Sequence, residues 1–80
     1  MPYYFFVWTE VRLEKLENNG IDADDFERIV MHPDSKASSR SSGRLVAFGR
    51  DQSGEEIACV YELDEDAATV YPITGYYTGN

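Results

Sequence analysis

The hydrophobic pattern of the chain is most complete in residues 55–62, which we predict to be the central strand of a sheet. Apolar residues fill both alternating sets of positions in this segment. The residues are Ile57, Cys59 and Tyr61 on one side and Ala58 and Val60 on the other. A strand that is apolar on both sides is typical of the middle of a sheet, since it has neighbouring strands and a helix layer over at least one face.

Two amphipathic helices are predicted in the N-terminal half of the chain. Thr9 is a suitable N-cap for the first helix, and Gly20 is suited to the left-handed conformation that ends it. Asp22 is the predicted N-cap of the second helix, which ends before Pro33 because the residue preceding a proline avoids the helical region. The apolar stripe of the second helix consists of Phe26, Ile29 and Val30.

Three further strands are predicted at residues 3–8, 44–50 and 69–74, and residues 34–43 are predicted to form a polar loop. Pro72 cannot donate a hydrogen bond to a neighbouring strand, so its strand should lie at an edge or carry a bulge. The order is therefore β-α-α-β-β-β, in one α+β domain of residues 1–80 with a frayed tail at 76–80. We expect a four-stranded antiparallel sheet with both helices on one face. The other face would expose aromatic residues, with Tyr61, Tyr71 and Tyr76 as candidates.

The charge of the chain is strongly acidic. Its 80 residues include 15 acidic and seven basic residues, which gives a formal net charge of −8. This charge opposes non-specific binding to nucleic acid and is compatible with a basic protein partner. Residues 36–50 depart from the trend, since they contain four basic residues and no acidic one.

Cys59 is the only cysteine, and a secreted domain of this size would usually need disulfides, so we expect a cytoplasmic location. The hydrophobic start of the chain has no basic region before it and reaches Glu10 too early for a signal peptide or a membrane span. One histidine and one cysteine without metal-ligand spacing predict no metal site, and no cofactor motif is present.

Several short motifs resemble the BrnT-type toxins, which belong to the RelE-like group of bacterial toxin–antitoxin proteins. They are Phe6-Val7-Trp8, Asn19-Gly20-Ile21, Phe26-Glu27-Arg28-Ile29-Val30, Gly43-Arg44-Leu45-Val46-Ala47-Phe48-Gly49, Cys59-Val60-Tyr61 and Ile73-Thr74-Gly75. The resemblance extends from about Phe6 to about Tyr76. It implies a small αβ domain that cleaves RNA without a metal and is capped by an antitoxin.

The resemblance assigns two arginines to a catalytic site. Arg12 matches a basic position of the family that could contact phosphate, and Arg40 matches a loop arginine that could stabilise a pentavalent phosphate. The alternatives are a solvated helix residue for Arg12 and a loop residue paired with a surface carboxylate for Arg40. His32, the only histidine, could act as a general base, but its position at the end of a helix also fits a capping role.

Arg44 and Tyr76 complete the predicted catalytic site. Arg44 and Arg50 are six residues apart, so they should face the same side of one strand. Both could instead pair across the strand, with Glu62 and Glu56. Tyr76 could be a general acid or a platform on which a base stacks, or it could pack at a frayed end.

Two classes of function follow from these observations. The first is a toxin-type ribonuclease with reduced or lost activity, partnered by an antitoxin. The second is a non-catalytic interaction module on the same fold, which binds a basic protein. The net charge, and the absence of a histidine and a terminal arginine that the toxin family usually has, favour the second class. A homodimer through an edge strand or the aromatic face is a further possibility.

Overall fold

A computed structural model describes residues 4–38 and 44–79. Over these residues the chain forms two helices and five strands in one mixed sheet. The elements in chain order are β1 (Phe5–Phe6), α1 (Glu10–Asn18), α2 (Ala23–Met31), β2 (Ser35–Ser38), β3 (Leu45–Arg50), β4 (Glu56–Asp64) and β5 (Thr69–Tyr77). The predicted α+β class is confirmed, whereas the predicted four-stranded antiparallel sheet is wrong in strand number and in one pairing.

The strand order across the sheet is β1-β5-β4-β3-β2, which places β4 at the centre as predicted. Strands β3, β4 and β5 form the expected antiparallel meander. The extra strand, β2, lies within the segment predicted to be a loop and pairs antiparallel with β3. Strand β1 pairs parallel with β5, which is possible because the connection between them, which contains both helices and strands β2 to β4, is long enough to return the chain in the same direction.

Both helices begin at the predicted N-caps. The Oγ1 atom of Thr9 accepts a hydrogen bond from the backbone N–H of Arg12 at 3.2 Å, and Oδ1 of Asp22 accepts one from the N–H of Asp24 at 3.0 Å. Gly20 has a φ of +81° after α1, a backbone conformation that favours glycine. The local signals for these helices therefore agree with the fold.

The hydrophobic core lies between the helices and one face of the sheet. Its fully buried members are Leu16, Ile21, Phe26, Ile29, Val30, Ala47, Ile57, Cys59, Tyr61 and Val70. The prediction that Tyr61 lies on the exposed aromatic face is wrong, since it is 2% exposed. It shares a side of β4 with Ile57 and Cys59, and that side faces the helices.

Strand β5 carries the bulge that its proline predicted. Tyr61 pairs with Pro72 and Val60 pairs with Thr74, so Ile73 is the extra residue. The strand continues to Tyr77, two residues into the segment that we expected to fray. The bulge lets a proline lie inside the sheet without interrupting the pairing of β4 and β5.

Candidate functional site

The face of the sheet opposite the helices is the candidate site, and we call it the open face. At its apolar centre, the pair Phe48 and Ala58 and the pair Val46 and Val60 lie directly across β3 and β4. These residues alternate with core residues along each strand, so their side chains point away from the helices. The remaining members at the centre are Ser35 and Ala37 of β2 and Thr74 and Tyr76 of β5.

Large aromatic side chains of the open face are accessible to solvent. Tyr76 is 48% exposed, Tyr71 is 42% exposed, and Phe5 on β1 is 68% exposed. Tyr71 and Tyr76 are therefore accessible, as predicted from the sequence. An aromatic surface of this kind on a small domain is typical of a place where a partner binds.

An arginine and a glutamate stand at each end of the open face. The Nε atom of Arg44 lies 3.7 Å from Oε2 of Glu62, and both side chains are about half exposed. At the other end, Arg50 pairs across the strand with Glu56 and donates a hydrogen bond from Nη1 to the carbonyl of Gly54 at 2.8 Å. Six residues of strand separate the two arginines by roughly 20 Å, so they cannot act on one phosphate.

Arg12 lies on the helix side of the molecule. Its Nη1 atom donates a hydrogen bond to the carbonyl of Ile73 at 3.2 Å, and the side chain is half-buried. Asn19, at the other end of α1, donates from Nδ2 to the carbonyl of Gly75 at 2.7 Å. These two residues of the α1 region bind the carbonyl groups of β5 beyond the short strand β1, which is one way to protect a sheet edge.

The predicted catalytic residues are thus only partly brought together. Arg44 and Tyr76 share the open face, but Tyr76 is at the height of Phe48, four residues or roughly 13 Å along β3 from Arg44, and Arg12 binds the edge of β5 from the helix side. Arg40 lies outside the described residues. His32 is exposed and follows α2, where its backbone N–H donates to the carbonyl of Arg28 at 2.9 Å, which agrees with the capping alternative.

Sequence reasoning missed the apolar centre of the open face. Val46 and Phe48 alternate with Ala47 and Gly49, which are buried against the helices. That alternation is present in the sequence and could have identified Phe48 as a second large side chain on the same face as Tyr76.

A hollow at one end of the sheet is strongly acidic. It has a volume of about 530 Å³, is open to solvent and is lined by Glu62, Leu63, Asp64, Glu65, Asp66 and Tyr71. Carboxylates beside a tyrosine ring form a surface that attracts cations and repels phosphates.

The chemistry of the remaining groups is limited. Burial raises the pKa of the Cys59 thiol to about 12, so this side chain is not a nucleophile at neutral pH. Within residues 4–38 and 44–79, no three His, Cys, Asp or Glu side chains are grouped as metal ligands. Neither helix in the described part of the chain has the length and hydrophobicity needed to span a membrane.

Comparison with models of protein families, with curated proteins and with solved structures finds no match to this chain. The resemblance to BrnT-type toxins therefore stays a prediction from short motifs, and the geometry of the open face is the firmest guide to function.

Proposed function

We propose that this chain is a protein-binding relative of the BrnT-type and RelE-like toxins, with RNA cleavage reduced or lost. The observation that carries the proposal is the open face, where the apolar centre and two exposed tyrosines lie on one side of a sheet whose other side is covered by helices. In this proposal the open face binds a protein partner.

The arginines of the open face support binding over cleavage. Arg44 is paired with Glu62, and Arg50 lies opposite Glu56 and donates to the carbonyl of Gly54. Each carboxylate reduces the positive potential that its arginine could offer to a phosphate. The net charge of −8 acts in the same direction, because it repels RNA at long range.

The proposal can be tested with an affinity-tagged chain incubated in an extract of its source cells. Val60→Asp places a charge in the apolar centre and should remove a captured protein, whereas Glu14→Asp on the exposed surface of α1 should retain it. Circular dichroism verifies that both variants fold. Capture that is equal for the two variants would reject the open face as the docking surface.

An active ribonuclease is the second candidate, since Arg44 and Tyr76 lie on the same face of the sheet. A labelled single-stranded RNA at about 20 mM salt, where electrostatic binding is strongest, is the appropriate substrate. Our proposal expects neither cutting nor binding. Cleavage that decreases in Arg44→Ala and in Tyr76→Phe would favour the ribonuclease instead.

A further inference from the structure

We infer that the partner on the open face is a second copy of this chain, related by a two-fold axis that runs parallel to the strands between β3 and β4. The inference rests on the proposed function, since it names the occupant of the same surface. It follows from the register of the strands, which makes the open face complementary to itself in shape and in charge.

Shape complementarity begins at the centre of the face. A two-fold axis in this position places β3 of one copy over β4 of the other, with paired residues at the same height. Phe48 of each copy then lies over Ala58 of the second copy, and Val46 lies over Val60. A large side chain meets a small one at the first position. Ala58 is fully buried within its own chain, so the surface that packs there consists of the residues around it, and the half-buried Val46 and Val60 meet directly at the second position.

The same axis also superposes the strands on either side of the central pair, with a large residue of one copy over a small residue of the other. It places β5 of one copy over β2 of the other, because both are one strand removed from the central pair. Tyr76 pairs with Ala58, Ala58 pairs with Phe48, and Phe48 pairs with Ser35. All four residues therefore lie at the same height along the strands. Tyr76 therefore lies over Ser35 of the second copy, again a large residue over a small one.

The charges at the two ends are complementary under this axis. Arg44 of one copy meets Glu62 of the other, and Arg50 meets Glu56. Each arginine can thus exchange its neighbour within the chain for the equivalent carboxylate of the second copy. The ends of the face then contain alternating charges of both signs.

Half of the net charge of −8 lies away from the interface, whereas the acidic hollow that includes Glu62 lies at one end of the open face of each copy. Residues 9–31, which include both helices on the far side of the sheet, contain seven acidic and three basic residues. Packed sheets are about 10 Å apart, and charges beyond roughly 8 Å are screened at physiological salt. The charges of Arg44, Arg50, Glu56 and Glu62 sum to zero, so the excess of acidic charge at this face lies at the end that carries the hollow.

The size of the face predicts a weak dimer. Strands β2 to β5 span roughly 15 Å at the usual strand spacing, and seven residues of strand extend roughly 23 Å. The footprint of the face, which is the product of these two lengths, is therefore smaller than the roughly 800 Å² per partner of a standard stable interface. We expect association in the micromolar range.

Sedimentation velocity on the full chain, from about 5 µM to about 500 µM, tests the inference over this range of affinity. Wild type should shift from monomer to dimer as concentration rises. Arg44→Glu and Glu62→Arg should each weaken the dimer by about tenfold or more, because like charges then meet across the interface. The double variant Arg44→Glu, Glu62→Arg should restore it.

These variants separate a specific contact from an effect of net charge. Arg44→Glu makes the chain more acidic and Glu62→Arg makes it less acidic, yet both should weaken the dimer. Glu14→Arg on α1 is the control with the same charge change as Glu62→Arg and should leave the dimer intact. Thermal unfolding identifies any loss of fold in a variant.

A monomer at every concentration would overturn the inference, and so would a dimer that survives both charge reversals. The proposed function has a separate outcome. If wild type is monomeric and Val60→Asp still removes a captured protein, the open face binds a different partner. If wild type is monomeric and capture is unaffected, the proposed function fails as well.

Discussion

The hydroxyl of Tyr77 donates a hydrogen bond to Oδ2 of Asp51 at 2.9 Å, which joins the end of β5 to the hairpin between β3 and β4. The other oxygen of Asp51, Oδ1, accepts hydrogen bonds from the hydroxyl and the N–H of Ser53 and from the N–H of Glu55. These bonds stabilise the ionised carboxylate. They lower the pKa of Asp51 to about 2, with the Ser53 hydroxyl as the largest cause, and the bond to Asp51 raises the pKa of Tyr77.

The lowered pKa of Asp51 predicts a loss of stability in acid. A carboxyl whose pKa is lower in the folded than in the unfolded state contributes stability above its unfolded pKa, and this contribution disappears as the pH falls through the folded value. The ionised Asp51 carboxylate should therefore raise the melting temperature, and this component should be lost as the pH falls from about 4 to about 2.

Thermal melts across this pH range check the prediction with two variants. Asp51→Asn should melt lower than wild type near neutral pH and should lack this component. Asp66→Asn, in the hairpin between β4 and β5, removes one charge elsewhere and should retain it. Identical pH profiles for wild type and Asp51→Asn would contradict the assignment.

Gly49 and Ile29 are in close contact where α2 packs on β3. A Cβ atom on Gly49 would lie 2.8 Å from Cγ1 and 2.9 Å from Cγ2 of Ile29. Because Ile29 is fully buried, it cannot move without disturbing its neighbours. Gly49→Ala should therefore lower the free energy of unfolding by about 1–3 kcal/mol. Urea denaturation measures this, and Gly79→Ala, where no atom lies within 4 Å of the added Cβ, should be neutral.

Trp8 and Glu27 link the segment between β1 and α1 to α2. The indole Nε1 of Trp8 donates to Oε2 of Glu27 at 2.7 Å, and the Trp8 ring lies edge-on to Phe26 with the ring centres 5.3 Å apart. Glu27→Ala should lower the free energy of unfolding by about 1–2 kcal/mol, since a half-buried donor loses its partner. Glu27→Gln should cost less because it retains an acceptor. Urea titrations followed by Trp8 fluorescence compare the two variants.

Much of the fold could be predicted from local signals. The second helix combined a complete apolar stripe, Phe26, Ile29 and Val30, with a capping Asp22, and the structure confirms all four. Strand β2 could not be predicted from the sequence. Its four residues, Ser-Lys-Ala-Ser, include no β-branched or aromatic residue of the kind that is typical of a strand. Its pairing with β3 arises from the tertiary structure, which overrides weak strand propensity.

The side of the sheet on which a residue lies was harder to predict. Strand β4 is apolar on both sides, so its sequence does not show which side the helices cover, and Tyr61 was assigned to the wrong one. Arg44 and Tyr76 are on one face because of a register set by the hairpins and the bulge at Ile73. No local pattern specifies that register, and none indicates that Arg12 binds a β5 carbonyl.

Arg12 and Arg44 are expected to differ in their effect on stability. Arg12 is half-buried and binds the carbonyl of Ile73, so Arg12→Ala should lower the free energy of unfolding by about 1 kcal/mol or more. Arg44 forms an exposed ion pair, so Arg44→Ala should change it by about 0.5 kcal/mol or less. Urea denaturation compares the two. A larger loss of stability in Arg44→Ala than in Arg12→Ala would indicate that the Arg12 side chain is not needed to hold β5 and is free to act in a functional site.

Cys59 should be unreactive while the chain is folded. It is fully buried in β4 between Ala58 and Val60, and burial raises the pKa of its thiol to about 12. Reaction with a disulfide reagent requires both access and the thiolate. We expect negligible labelling at neutral pH and complete labelling in urea, so that the native rate reports the opening of the central strand.

A matched control for this experiment places a thiol on the surface of the same molecule. In the variant Cys59→Ala, Glu65→Cys the thiol lies in the exposed hairpin between β4 and β5, and it should react at once under native conditions. Rapid native labelling of wild type at the rate of this control would show that β4 is accessible. Since β4 pairs with both β3 and β5, such access would remove the open face and every contact proposed on it.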